Sequence, residues 1–187
     1  MNNPRLIIGI SGSSGVIYGI HLLQILQNLP IETHLVVSKA AQLTLTYEST
    51  LSFDELKSLA DVYHPIKNIA ASIASGSFKT IGMIIAPCSM KTLGEIAHSI
   101  SSTLLTRAAD VVLKERRRLV LMPRETPLHL GHLQNMVSIT QMGGIICPPV
   151  PAFYNQPQTI DDLVSGSVSR VLDLFELDSG LLKRWEG

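Results

Sequence analysis

Short apolar runs alternate with stretches of helical period along this chain, and that alternation constrains the fold more than any other feature. A strand that leads through a helix to a further strand returns to its sheet by a crossover, which makes the strands parallel. Strands are expected over 6–10, 32–37, 81–86, 118–122 and 144–147, each apolar along most of its length. Such runs suit strands covered on both faces. Helices are expected over 15–26, 39–46, 53–59, 90–99, 104–114, 128–142 and 160–174. The class is therefore α/β, a parallel sheet with helices on both faces, read as one domain over 1–187 without repeats or linkers.

Fifteen basic and fifteen acidic residues cancel, and the basic residues are scattered apart from Lys114-Glu115-Arg116-Arg117-Arg118. General nucleic-acid binding by phosphate neutralisation is not expected of such a surface. Apolar residues make up 45% of the chain against 16% charged, so part of the surface is expected to lie against further copies of the chain. Cys88 and Cys147 lack the spacing of a zinc or redox pair, and a reduced, cytoplasmic compartment is expected. The opening residues lead straight into the first strand, too short for a signal segment, and no apolar run reaches the roughly 20 residues of a membrane span.

In a doubly wound sheet, ligands sit beyond the carboxyl ends of the strands, so the loops that follow the strands are the ones to inspect. Ser11-Gly12-Ser13-Ser14-Gly15 joins the first strand to a helix, where free N–H groups and the helix dipole favour an anion. It lacks the full dinucleotide pattern, and Ser38-Lys39 stands where a ribose-binding acid would be needed. Phosphate or flavin contact fits better than NAD, beside the simpler reading of a tight turn. Pro87-Cys88-Ser89-Met90-Lys91-Thr92 offers a second anion site, or an ordinary N-cap by Ser89 with Cys88 a buried, inert thiol. Arg107 and Lys114 are two helical turns apart and share a face, with Asp110 placed to pair with Lys114; taken alone, a solvated, salt-bridged helix end is the simpler reading of them. Arg124 and Glu125 lie between Pro123 and Pro127, where Arg can clamp a phosphate and Glu can move a proton, or the two can form an ion pair. Three prolines hold Phe153 and Tyr154 on a stiff loop, and Arg170 follows on the last helix. His129 and His132 have no accompanying carboxylate or thiol motif, and no metal site is expected.

Taken together and in order, these loops closely resemble the UbiX/Pad family of flavin prenyltransferases. The likeness includes Ser38-Lys39-Ala40-Ala41, the run from Arg107 to Arg117, Arg124-Glu125-Thr126-Pro127 and Phe153-Tyr154-Asn155-Gln156-Pro157-Gln158. The resemblance implies a flavodoxin-like Rossmann subunit, a homo-oligomer, usually a dodecamer, that binds FMN where subunits meet and uses no metal. It implies that dimethylallyl phosphate is joined to reduced FMN at N5 and C6, giving the prenylated flavin used by UbiD-type decarboxylases, as in ubiquinone biosynthesis. By matching position, Gly12, Ser13, Ser14, Ser38, Ser89, Met90, Lys91, Thr92 and Arg124 would hold FMN. Lys114, Arg124, Tyr154 and Arg170 would bind the allylic phosphate, with Arg107 beside Lys114 and Trp185 either covering the pocket or packing an interface. Ser14 and Glu48 would flank the reacting flavin edge, and Glu125 would act near the leaving phosphate. Ile69 departs from the aromatic that some members carry there.

Two other readings compete. A cysteine decarboxylase of the same fold would need an asparagine in the loop after the third strand, where Lys91 stands. A non-catalytic flavin carrier would not need the several cations beyond one phosphate site.

Overall fold

The computed structural model describes residues 3–181. Six parallel strands form one sheet: β1 (Arg5–Ile10), β2 (Glu32–Val37), β3 (Val62–His64), β4 (Gly82–Cys88), β5 (Arg118–Pro123) and β6 (Ile145–Ile146). Seven α-helices cover it: α1 (Val16–Leu26), α2 (Lys39–Glu48), α3 (Phe53–Ser58), α4 (Met90–Ala97), α5 (Leu104–Lys114), α6 (Leu130–Gln141) and α7 (Ile160–Asp173). A 3-10 turn occupies Ser72–Ala74. Among the described residues, no helix is long and apolar enough to cross a membrane.

The strand order is β3-β2-β1-β4-β5-β6. Without the short edge strand β3, the order 2-1-3-4-5 remains, which is that of the flavodoxin-like sheet. Alternation along each strand builds a core on either face. Leu6, Ile8 and Ile10 join α1 and α7 on one side, while Ile7, Met83 and Ile85 join α4 and α5 on the other. The five expected strands and seven expected helices are all present, their ends shifted by up to two residues. Strand β4 runs on through Pro87 to Cys88 across a register irregularity, so these two residues belong to the strand rather than the loop.

Strand β3 was not expected from the sequence. It has three residues, is only partly covered, and is fixed by pairing of Val62, Tyr63 and His64 with His34, Leu35 and Val36 of β2. A run that short carries no readable period. The sheet changes direction between β1 and β4, so the loops leaving those two strands bound the crevice in which a ligand is expected.

Candidate active site

The crevice is built first by a tie between two loops. Ser11 is buried; its hydroxyl donates to the Pro87 carbonyl at 3.1 Å and accepts from the Ser89 N–H at 2.7 Å. The Ser11 N–H donates to the same carbonyl. Ser89 in turn caps α4 by accepting from Thr92 N–H at 3.3 Å and donates to the Thr92 hydroxyl at 3.1 Å. Ser38 caps α2 through Ala41 N–H at 3.0 Å. The N-cap reading of Ser89 is thus observed, and Ser38 caps its own helix in the same way.

Gly12 is a glycine because α2 crosses against it: an added Cβ would lie 2.2 Å from the Ala40 Cβ. Ser13 is different. Its hydroxyl oxygen is buried and has no hydrogen-bond partner. Leaving a buried hydroxyl unpaired costs about 1–3 kcal/mol, a cost that a polar ligand in the crevice would offset. An unpartnered hydroxyl beside two capped helix starts fits the phosphate and polar chain of a flavin nucleotide.

Helix α1 begins after Gly15, which stands at a φ of 102° and has no side chain with which to cap it. The cap comes from Glu48 at the end of α2, whose Oε2 accepts from Gly15 N–H at 2.7 Å and Val16 N–H at 3.1 Å. Partial burial pushes the Glu48 carboxyl up. Hydrogen bonds from the Ser14 hydroxyl and the two N–H groups, with Arg124 nearby, outweigh burial and hold it below the usual carboxylate range. Arg124 follows β5, and its Cγ would lie 4.0 Å from a Cβ on Gly15. Its charge also acts on Tyr18, whose hydroxyl is nonetheless raised by burial. The exposed Glu125 carboxylate accepts from Thr126 N–H at 3.1 Å. Lys91 is exposed and lies 3.5 Å from Glu95, while Met90 packs on the core under α4 and α5. Ser14, Ser38, Glu48, Ser89, Thr92, Arg124 and Glu125 therefore gather at the carboxyl edge of the sheet.

Tyr154 and Arg170 line a separate cavity of about 500 Å³ between the proline-rich loop and α7, together with Asp161 and Asp162. Arg170 bonds Asp173 at 2.7 Å. The structure does not bring Lys114 to either place. Helix α5 runs antiparallel to the strands, so Lys114 ends it at the amino edge, a whole strand away from Arg124. Six residues at about 3.3 Å each make that close to 20 Å. Asp110 pairs with Arg107 at 2.7 Å, and Lys114 with its neighbour Glu115, rather than Asp110 with Lys114 as the spacing suggested. The i,i+3 partner was simply nearer.

Cys88 is fully buried, and burial drives its thiol far above the ordinary range, so it is inert. His129 caps α6 through Gly131 N–H and lies against the His132 ring, with centroids 3.6 Å apart. Among the described residues, no group of three or more His, Cys, Asp or Glu is placed to hold a metal. Ile69 is exposed. Trp185 lies outside the described residues. The capping role of Glu48 was not legible beforehand: its partners are 32 and 33 residues away, and no local pattern joins them.

A match to the Flavoprotein family covers residues 1–172. The chain is 58% identical over 183 residues to the flavin prenyltransferase UbiX of Neisseria meningitidis, covering 98% of this chain and 97% of that one. The chain belongs to the UbiX family of flavin prenyltransferases. The Escherichia coli K12 UbiX is 59% identical over 98% of both chains. Among solved structures, AnUbiX (PadA1) in complex with FMN and dimethylallyl pyrophosphate superposes at a TM-score of 0.97, with 49% identity over 98% of both chains. A dodecameric FMN-dependent UbiX-like decarboxylase from Escherichia coli O157:H7 does so at 0.96, with 50% identity, covering 98% of this chain and all of that one. UbiX membership accounts for a crevice with hydroxyls at helix starts and one arginine, without a dinucleotide fingerprint.

Proposed function

We propose that this chain, acting as one flavoprotein domain over 1–187, transfers the dimethylallyl group of dimethylallyl phosphate to N5 and C6 of reduced FMN. The product is prenylated FMN, delivered to a UbiD-type decarboxylase. The observation that carries this reading is the 58–59% identity, over nearly the whole chain, to flavin prenyltransferases. Bound FMN supplies the electron-rich ring that attacks the allylic carbon; the protein supplies position, charge and a dry site.

Gly12, Ser13, Ser14, Ser38, Ser89, Met90, Lys91, Thr92 and Arg124 hold the flavin in this reading. The unpartnered Ser13 hydroxyl supports it most directly. Tyr154 and Arg170, with Arg124, take the allylic phosphate. Breaking the carbon–oxygen bond leaves charge on the departing phosphate, and fixed cations and hydroxyl donors stabilise that charge. Glu125 lies next to Arg124 in the chain and is exposed at the crevice, placed to exchange a proton with the leaving group. Lys114 cannot serve its own subunit's crevice from the amino end of the sheet, where α5 ends. Lys114 acts on the site of a neighbouring copy in a homo-oligomer, as a dodecameric relative supports, and Arg107 acts in the same reaction. The enzyme works without metal and in the cytoplasm.

The test is mass spectrometry of the flavin released after anaerobic incubation with reduced FMN and dimethylallyl phosphate. A flavin heavier by one five-carbon unit is expected. Unmodified FMN from folded, flavin-loaded protein would instead point to the cysteine-decarboxylase or carrier readings.

A further inference from the structure

Gly76 is a glycine for reasons of space rather than backbone angle. It sits in a turn over 75–78, closed by the Phe78 N–H on the Ser75 carbonyl at 3.2 Å, and its φ is not positive. An added Cβ would lie 2.2 Å from Glu115 Oε1 and 2.8 Å from Lys114 Nζ. The Lys114–Glu115 ion pair thus occupies the place that a side chain would take. The same turn is anchored by Arg117, which stands between α5 and β5. Its guanidinium donates to the Gly76 carbonyl at 2.6 Å and the Phe78 carbonyl at 2.7 Å, and lies 3.9 Å from the other oxygen of Glu115. The Arg117 side chain is only 15% exposed, against 47% for that of Lys114. A buried anchor, a carboxylate and a half-exposed ammonium therefore follow one another in a row.

We infer that Gly76 and Arg117 are positioning residues for Lys114: Arg117 fixes the turn and steadies Glu115, and Gly76 leaves the space in which Glu115 holds the Lys114 ammonium. The inference rests on the prenyltransferase reading, in which Lys114 serves the allylic phosphate of a neighbouring copy. An ammonium has three donors, so with one given to Glu115 two are left for phosphate oxygens. A lysine on its flexible four-carbon stem otherwise loses its rotamer freedom when the phosphate arrives. Holding it beforehand removes part of that cost, a gain of about two- to tenfold in affinity for one long side chain. Neither Gly76 nor Arg117 needs to touch the phosphate; each acts through Lys114.

Steady-state prenylation with dimethylallyl phosphate and reduced FMN tests this in wild type, Gly76→Ala, Lys114→Ala, the Gly76/Lys114 double alanine variant and Arg117→Lys. The atoms met in Gly76→Ala are the ends of two flexible side chains, so the fold is kept and the ion pair moves. Gly76→Ala is expected to raise the donor KM by about three- to tenfold, with Tm and FMN affinity unchanged. The double variant is expected to be no worse than Lys114→Ala alone, because Gly76 acts through that lysine. A wild-type KM in Gly76→Ala, or losses that multiply in the double variant, would overturn the inference. Arg117→Lys keeps the charge but cannot reach both carbonyls, so the donor KM is expected to rise as Tm falls. A lower Tm with KM unmoved would refute the part given to Arg117. If wild type gives no prenylated flavin, the prenyltransferase reading fails, and crystal structures of wild type and Gly76→Ala decide the placement instead. A displaced Lys114–Glu115 pair in Gly76→Ala supports it, and an unmoved pair refutes it.

Discussion

The two edges of the sheet handle polar groups differently. At the amino edge, charges are satisfied within the chain, although the Thr80 hydroxyl before β4 is buried without a partner. Arg5 pairs with Glu32 at 3.2 Å, and Glu32 bonds His34 at 2.9 Å. His34 in turn lies 2.9 Å from His64. Arg117 donates to the Phe78 and Gly76 carbonyls at 2.7 and 2.6 Å, fastening the segment between β3 and β4. At the carboxyl edge, the loops are tied to each other by Ser11 but keep capacity in hand: an unpartnered Ser13 hydroxyl and exposed Arg124 and Glu125. A network that pairs its charges serves stability, whereas exposed, unpaired groups at a crevice stay ready for a ligand. Lys114 is the exception, a proposed site residue on the closed edge, which is why its use calls for a second copy.

Removing the close approach at the crevice breaks the comparison most sharply. Gly12→Ala puts a Cβ 2.2 Å from Ala40. Overpacking of that kind costs about 1–3 kcal/mol, so FMN titration is expected to show a loss of up to about a hundredfold and calorimetry a lower Tm. Arg124→Ala leaves the fold intact and weakens FMN by about 10- to 100-fold, the value of a hydrogen bond to a charged group. Equal affinity in that variant would remove Arg124 from the flavin site. Arg170→Ala is expected to raise the KM for dimethylallyl phosphate by about tenfold with FMN affinity nearly unchanged, and equal losses in both would merge the two cavities into one site.

The smallest effect concerns the closed edge. Burial holds His34 below its ordinary range despite the Glu32 hydrogen bond, with Arg5 and Asp61 also acting on it; burial and His34 lower His64. Both protonate more readily in the unfolded chain, so their contribution is complete above about pH 6.5 and is lost as pH falls through the lower folded values. Tm should drop by a few degrees between pH 7.5 and 5, and His64→Gln should shrink that drop; an unchanged pH dependence would show that the pair is not what titrates.

Most of the fold was legible because burial of strands on both faces forces long apolar runs between stretches of helical period, and because the cap at Ser89 marks the start of α4. The three residues of β3 were not, since neither length nor period marks them. The candidate residues in the loops that follow the strands were legible from position, because a parallel sheet sends those loops to one edge, whereas Glu48, at the end of α2, came from the family resemblance alone.

The chain by itself determined the class of sheet, the loops that carry chemistry and the family resemblance, all of which follow from local pattern. Only the tertiary structure decided that Glu48 caps α1, that Ser13 is left without a partner and that Lys114 faces the far edge. Those facts depend on which groups meet across 30 or more residues, or on the direction of a helix against its sheet, and local sequence pattern carries neither.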